Sequence, residues 1–385
     1  MSTAAPERLD PGPLRRAPRV DGRALLLAVA APLLAAVVAL AVSSIALVVS
    51  GSDPFTVYET MLAEGSDLRS VLITVNNGVP LYLAGLAVSI GFRMGLFNIG
   101  VEGQYQLAAL LAAAAGAAVE LPAVLHVLLI VLVAVSVGAA WAGVAGVLKT
   151  TRGVSEVIST IMLNVIAAGL AAYLLATYLQ ERVEGSNNQA TPEIAPSGRF
   201  PTLDAPLEAL GVTLPQGTSL NGFVLVAVLV GVLYWLLVGR SRFGFDLKAT
   251  GLSPSAAVAS GVDAKRMTVR VMLLSGGVAG LVGLAQVLGD TYDYGLEFTS
   301  GLGLTGIGVA LLGRNSPVGI AFAALLFAFL ERSSATLQRI DVPTEIYVIM
   351  QGTIVLSVVV AYEVVRRVGV ASAERAVRAA TGDRA

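Results

Sequence analysis

Residues 24–50, "ALLLAVAAPLLAAVVALAVSSIALVVS", run for 27 positions without a charged side chain. As a helix rising about 1.5 Å per residue, such a run outreaches the ~30 Å hydrocarbon core of a bilayer. Similar runs recur along the whole chain. Only 13% of the residues are charged, against about a quarter in soluble domains, so these runs are not the hidden cores of a water-soluble fold. Helices satisfy their own backbone groups in lipid, and the sequence therefore predicts an all-α polytopic membrane protein.

About ten transmembrane helices are expected (8–10), at 24–50, 71–91, 96–118, 122–148, 154–180, 221–239, 268–289, 301–313, 316–331 and 345–364. The first follows Arg15, Arg16, Arg19 and Arg23, but exceeds the 7–15 apolar residues of a signal peptide and reads as a retained span. Residues 1–23 are expected to be a disordered cytoplasmic tail, 24–365 the transmembrane domain, and 366–385 a second cytoplasmic tail. Basic residues gather in the N-terminal tail, at Lys149 and Arg152, in the 240–270 connection and after 366. Acids dominate 51–70, 181–219 and 290–300. Short Lys/Arg-rich loops stay inside, which puts both termini in the cytoplasm, 181–219 outside as a long loop, and 240–267 inside.

The segments 301–313 and 316–331 are short, and the first is rich in Gly. They read as broken or re-entrant helices, which survive in a membrane only inside protein or beside a cavity. Gly-interrupted stretches occur in both halves, "GFRMGLFNIGVEG" (91–103) and "GLEFTSGLGLTGIG" (295–308). With five spans per half, this suggests a 5+5 inverted repeat with its binding site at the repeat interface.

There is no cysteine, no phosphate-binding loop of the G-x-x-x-x-G-K-S/T type and no H-E-x-x-H or Cys/His metal cluster. No metal or cofactor is expected on the chain. The string "LSGG" (274–277) resembles an ATPase signature but lies inside an apolar span, where small residues serve close helix packing. His126, the single histidine, reads as an interfacial or helix-packing residue.

A carboxylate deep in a membrane costs about 2.5–3.5 kcal/mol and needs a partner or a function. Glu102 lies nine residues past Arg93, and Asn98, Glu102 and Gln106 recur at i, i+4 and i+8, so they share one helix face. With Phe97 beside them and Asn164 similarly deep, they are candidates for a polar lining of a substrate path. The alternative is a structural network, with Glu102 paired to Arg93 or bonded to another span. Glu156 reads as an interfacial charge pair with Arg152, and Asp290, Asp293 and Glu297 as solvated external acids.

The connection "GFDLKATGLSPSAAVASGVDAKRM" (244–267) holds a helix signal of its own. Ser253 can cap it, Pro254 suits its first turn and Gly261 can end it. Two turns are unstable alone in water, so this helix needs a surface to pack against.

"SAAVASG" resembles the E-A-A-x-x-x-G loop of ABC importer permeases. Ala256, Ala257 and Gly261 match, while Ser255 stands in place of Glu. "VPLYLAGLAVSIGFRMGLFNIGVEGQYQLAA" (79–109), "GVSEVISTIMLN" (153–164) and "GLGLTGIGVALLGRNSP" (301–317) are similar to the nucleoside-type permeases of the sugar and branched-chain amino-acid importer group. The resemblance covers roughly 24–365. It implies a non-catalytic permease subunit in a bacterial cell (inner) membrane, with ATP hydrolysis on a separate ATPase chain. It also implies a second homologous permease, an extracytoplasmic substrate-binding (lipo)protein and a nucleoside substrate, with Ser255, Ala256, Ala257 and Gly261 in the ATPase-coupling helix. Simple sugars or branched-chain amino acids are the alternatives within the group. A proton- or ion-coupled secondary transporter using Glu102 is the alternative outside it.

Overall fold

The computed structural model describes residues 22–181, 189–337, 342–343 and 346–382. Most of the expected N-terminal tail (1–21) and part of the 181–219 loop lie outside the described residues. The chain divides into two units, one comprising the residues up to Ala41 and from Leu356 onward, the other Val42–Val355. Every site discussed below belongs to the second.

The helices are α1 (Gly22–Val49), α2 (Pro54–Gly65), α3 (Leu68–Phe92), α4 (Val101–Ala117), α5 (Ala123–Arg152), α6 (Glu156–Leu174), α7 (Asp204–Ala209) and α8 (Phe223–Arg240). There follow α9 (Arg242–Leu252), α10 (Pro254–Ala259), α11 (Ala264–Gly280), α12 (Leu284–Gly289), α13 (Leu302–Leu312), α14 (Pro317–Leu337) and α15 (Ile346–Gly382). A π turn, Leu175–Leu179, extends α6. Among the described residues, extended pairing is limited to two isolated bridges, Ala190 with Gly295 and Thr202 with Asn221.

Among the described residues seven helical segments are long and apolar enough to cross a membrane, or up to eight if the bent pair Leu33–Val49 with Pro54–Gly65 is one span. The ten-span expectation is reduced because α4 and α13 are short, at 17 and 11 residues. At about 1.5 Å per residue they cover roughly 26 and 16 Å. Glycine sets both starts: Gly100 precedes α4, and Gly301, at φ +87°, precedes α13. Helix α14 runs on to Leu337, past the expected end at 331, and α15 continues to Gly382 through most of the expected tail.

Two helical segments form the centre. In α3 61% of the most apolar stretch is buried and in α11–α12 78%, against 22% in α5, α6 and α15. Such contrast in lipid comes from packing, because lipid tails offer no hydrophobic drive for one helix to bury another. Small residues allow the packing. A Cβ on Gly276 would strike the Gly138 carbonyl, and one on Gly280 the Ala134 carbonyl, so α5 and α11 cross backbone to backbone. The "GG" of the LSGG string is thus a packing device, as the sequence suggests.

Candidate functional site

The chain leaving α3 turns at Gly95, whose φ is +73°, and does not resume a helix until Val101. Asn98 therefore sits in a loop ahead of α4, and the expected single face shared by Asn98, Glu102 and Gln106 is not formed. Asn98 is 1% exposed and pairs amide to amide with Gln104. Its Nδ2 donates to Gln104 Oε1 (3.0 Å), and its Oδ1 accepts from Gln104 Nε2 (2.8 Å) and Gly100 N (3.1 Å). Nδ2 also donates to Ser275 Oγ (2.8 Å), which donates to the Ala87 carbonyl (2.6 Å). One side chain thereby ties α4, α11 and α3 together. Asn164 does the same from α6, accepting from Gly103 N and donating to the Ile99 carbonyl, both at 2.9 Å.

Glu102 faces the other way, onto the start of α13. Its Oε1 accepts from Gly301 N (2.7 Å) and its Oε2 from Gly303 N (2.9 Å). The first amides of a helix lack intrahelical partners and carry the positive end of its dipole, so a carboxylate there is doubly favoured. Tyr105 Oη (3.0 Å) and Gln106 Nε2 (2.8 Å) donate to the same Oε1. A Cβ on Gly303 would overlap the Glu102 backbone; the close approach requires glycine. Of the two arrangements anticipated for a structural Glu102, the structure has the bond to another segment. Arg93 instead donates to the Asn315 carbonyl (2.7 Å).

Beside this junction, a cavity of about 370 Å³ opens between α3, the 217–221 segment, α11–α12, the start of α13 and α14. Small-molecule sites have volumes of roughly 300–1,000 Å³. The single O–H of Tyr105 lies between Glu102 Oε1 and the carbonyl of Thr299 (2.9 Å), which lines the cavity, so the Glu102 junction adjoins the cavity wall. Two lining amides are committed to the frame. Asn76 donates to the Ser219 carbonyl (2.8 Å) and accepts from Asn221 N (3.0 Å). Asn221 donates to the Ala285 carbonyl (2.8 Å) and accepts from Phe223 N (2.9 Å). The Asn77 amide, the Gln286 Nε2 and the carboxylates of Asp290 and Glu331 remain available, without a hydrogen-bond or ion-pair partner among the described residues. No Lys, Arg or His among the described residues lines the cavity.

Phe97 is half exposed and stacks edge-on against Phe92 at 5.1 Å. Glu156 pairs with Lys149, not with Arg152 as expected: Gly153, at φ +68°, folds α6 back so that the pair closes across the turn. His126 is fully buried, with Nε2 at 2.8 Å from the Gly116 carbonyl and Nδ1 at 2.9 Å from Ser197 Oγ. The first contact makes Nε2 the protonated nitrogen, so Nδ1 accepts. Among external acids, burial raises the Asp293 carboxyl above its ordinary range, with Glu193 adding to this and Thr291 opposing it. Among the described residues no group of three or more His, Asp or Glu could hold a metal ion.

At the far end of α3 from the cavity, α9 packs through Gly251 against the backbone of Met94. The expected two-turn helix is α10. Ser253 caps it by accepting from Ala256 N (3.3 Å), Pro254 opens it, and Gly261, at φ +86°, ends it. Ser255, Ala256 and Val258 face outward, while Ala257 is 3% exposed and turned toward α9 and α11. Ala257 is thus part of the frame behind the outward face. Helix α9, with Phe245 72% and Leu252 89% exposed, widens that face and was not anticipated.

Phe97, Asn98, Glu102, Gln106 and Asn164 all gather around the start of α4, and none lines the cavity. The cavity residues that sequence reasoning missed carried a faint signal: the Asn76–Asn77 pair interrupts an apolar run, and Glu331 breaks another.

Residues 70–359 match the family model described as "Branched-chain amino acid transport system / permease component". The chain is 34% identical over 351 residues to the glucose ABC transporter permease protein TsgB13 of Haloferax volcanii, covering 90% of this chain and 91% of that one. It is 33% identical to the guanosine ABC transporter permease protein NupP of Bacillus subtilis, covering 86% and 93%. With the nucleoside ABC transporter permease protein NupB of Lactococcus lactis subsp. cremoris the identity is 30%, covering 86% and 90%. With this match over most of its length and its row of membrane-crossing helices, the chain belongs to the branched-chain amino acid transport system permease family and is a multi-pass membrane protein.

Proposed function

We propose that this chain is the permease subunit of an ABC importer for neutral, polyhydroxylated cargo, nucleosides first among them. The observation that carries this is the set of free groups in the cavity. Two amides and two carboxylates can bind hydroxyl and N–H donors, and no cationic side chain stands ready for an anion. A branched-chain amino acid could set its ammonium against Asp290 or Glu331, but its own carboxylate would find no cationic side chain among the described lining residues and would be left unpaired. A nucleoside or a sugar brings hydroxyls instead. The printed activities of the similar permeases, for guanosine, nucleosides and glucose, support the same choice.

In this reading a separate ATPase docks on the outward face of α9–α10, on the cytoplasmic side that the Lys/Arg bias assigns. A second permease chain completes the pathway, and an extracytoplasmic binding protein delivers cargo to the acidic side. The meeting of the 91–103 and 295–308 segments at Glu102 supports an inverted repeat with the site at its interface. A proton-coupled carrier centred on Glu102 is disfavoured, because both carboxylate oxygens are already engaged by backbone amides.

The test is uptake by the complete transporter in proteoliposomes, with guanosine, glucose and leucine offered in parallel. ATP-dependent guanosine import, absent for leucine, is expected. Leucine import alone would overturn the proposal. Replacing Val258 with Asp, on the outward face of α10, is expected to release the ATPase during purification.

A further inference from the structure

We infer that Glu331 is the specificity residue of the cavity, accepting the two O–H donors of a vicinal diol on the cargo; the inference rests on the polyol reading above. Glu331 lies inside the α14 span, Pro317–Ala335, toward its C-terminal end, where a carboxylate within a membrane-crossing helix calls for a partner or a function. Elsewhere in the molecule the offset is visible. Glu102 has two backbone amides, and Glu156 has Lys149. The Glu331 carboxylate has neither a hydrogen bond nor an ion pair among the described residues, and it lines the cavity.

The neighbouring charge does not supply the partner. Arg332 is the next residue, about 100° around a helix of 3.6 residues per turn, and adjacent helical residues do not face each other. Arg332 does not line the cavity, and its Nε is buried without a partner of its own. The two opposite charges are thus held apart on one helix, which leaves the carboxylate free for cargo.

The chemistry of a carboxylate selects the ligand. It only accepts, through two oxygens, and can take two parallel donors at once. Adjacent hydroxyls of a ribose or a pyranose present such a pair, and hydrogen bonds to an ionised acceptor are roughly twice as strong as neutral ones. Asp290 is the other free carboxylate; both side chains are exposed toward the cavity, but Asp290 caps the end of α12 just outside its span, whereas Glu331 is held within the α14 span. Asn77 and Gln286, which also offer donors, are left for the rest of the cargo.

The experiment uses the assembled transporter with its own ATPase, partner permease and binding protein, and compares import of guanosine with that of 2′,3′-dideoxyguanosine. Selectivity of the binding protein is common to all variants, so the change in the import ratio belongs to this chain. Wild type is expected to favour guanosine by roughly tenfold or more, the worth of hydrogen bonds to a charged group. Glu331→Gln should bring the ratio toward parity by lowering guanosine import while sparing the dideoxy compound. Glu331→Asp, which keeps the two acceptors, should retain most of the preference. Because the readout is a ratio within one preparation, reduced yield of a variant does not obscure it. Equal loss of both cargoes in Glu331→Gln, or an unchanged ratio, overturns the role of Glu331 while the importer reading stands. If wild type moves leucine but neither guanosine nor glucose, the polyol reading falls, and this inference falls with it.

Discussion

Two groups of polar side chains lie side by side in the membrane part of this protein, and they differ in what their hydrogen-bonding capacity is used for. Around the start of α4, Asn98, Glu102 and Asn164 spend their oxygens and nitrogens on the backbone and on each other. In the adjoining cavity, Asn77 and Glu331 spend theirs on nothing in the described chain. A polar group in lipid is costly in either setting. In the first the cost is offset when the chain folds; in the second, on the reading proposed above, when cargo arrives. Depth in the membrane therefore does not distinguish a frame residue from a cargo residue; the count of unused donors and acceptors does.

The sharpest way to break this contrast is Glu102→Ala. It removes the acceptor for Gly301 N and Gly303 N, and each buried donor left unmade costs about 1–3 kcal/mol. The expected result is near-complete loss of monodisperse protein in mild detergent; normal yield with lost uptake would move Glu102 to the cargo group. Asn98→Leu strands both ends of the Gln104 amide and should lower the thermal midpoint in detergent by several degrees, with any residual uptake keeping its KM. A raised KM at unchanged stability would contradict that placement. Asn77→Leu is the counterpart from the cavity. Stability should stay within error, while KM for guanosine rises about two- to tenfold, the worth of one ordinary hydrogen bond.

Much of the architecture was readable from local rules. The spans announce themselves by length without charge, and α10 by a cap, a proline and a glycine spaced two turns apart. The glycines also marked out 91–103 and 295–308, which the structure brings into contact through Glu102 with Gly301 and Gly303. The errors arose where a backbone break reset the register. Gly95 and Gly100 take Asn98 off the helix, so the i, i+4, i+8 pattern pointed to a face that does not exist. Gly153 brings Lys149 rather than Arg152 to Glu156. In a helix as short as α10, periodicity does not say which side turns inward, and Ala257 is decided by packing toward α9 and α11. Glu331 was hidden because the expected span, 316–331, stopped at it. Only the continuation of α14 to Leu337 puts the carboxylate inside.

The crossing of α5 and α11 has a mechanical consequence. Where two backbones touch through Gly138, Gly276 and Gly280, there are no side chains to change rotamer and take up a sliding motion. Shear at that seam would drive main chain into main chain, so the pair can only turn as a single beam. Helix α11 follows α10 after a four-residue turn and ends at the Leu281–Gly283 break, beyond which α12 forms a cavity wall. A load applied at α10 therefore passes through the 260–263 turn into the α5–α11 beam, and the 281–283 break is the one bend left between that beam and the cavity.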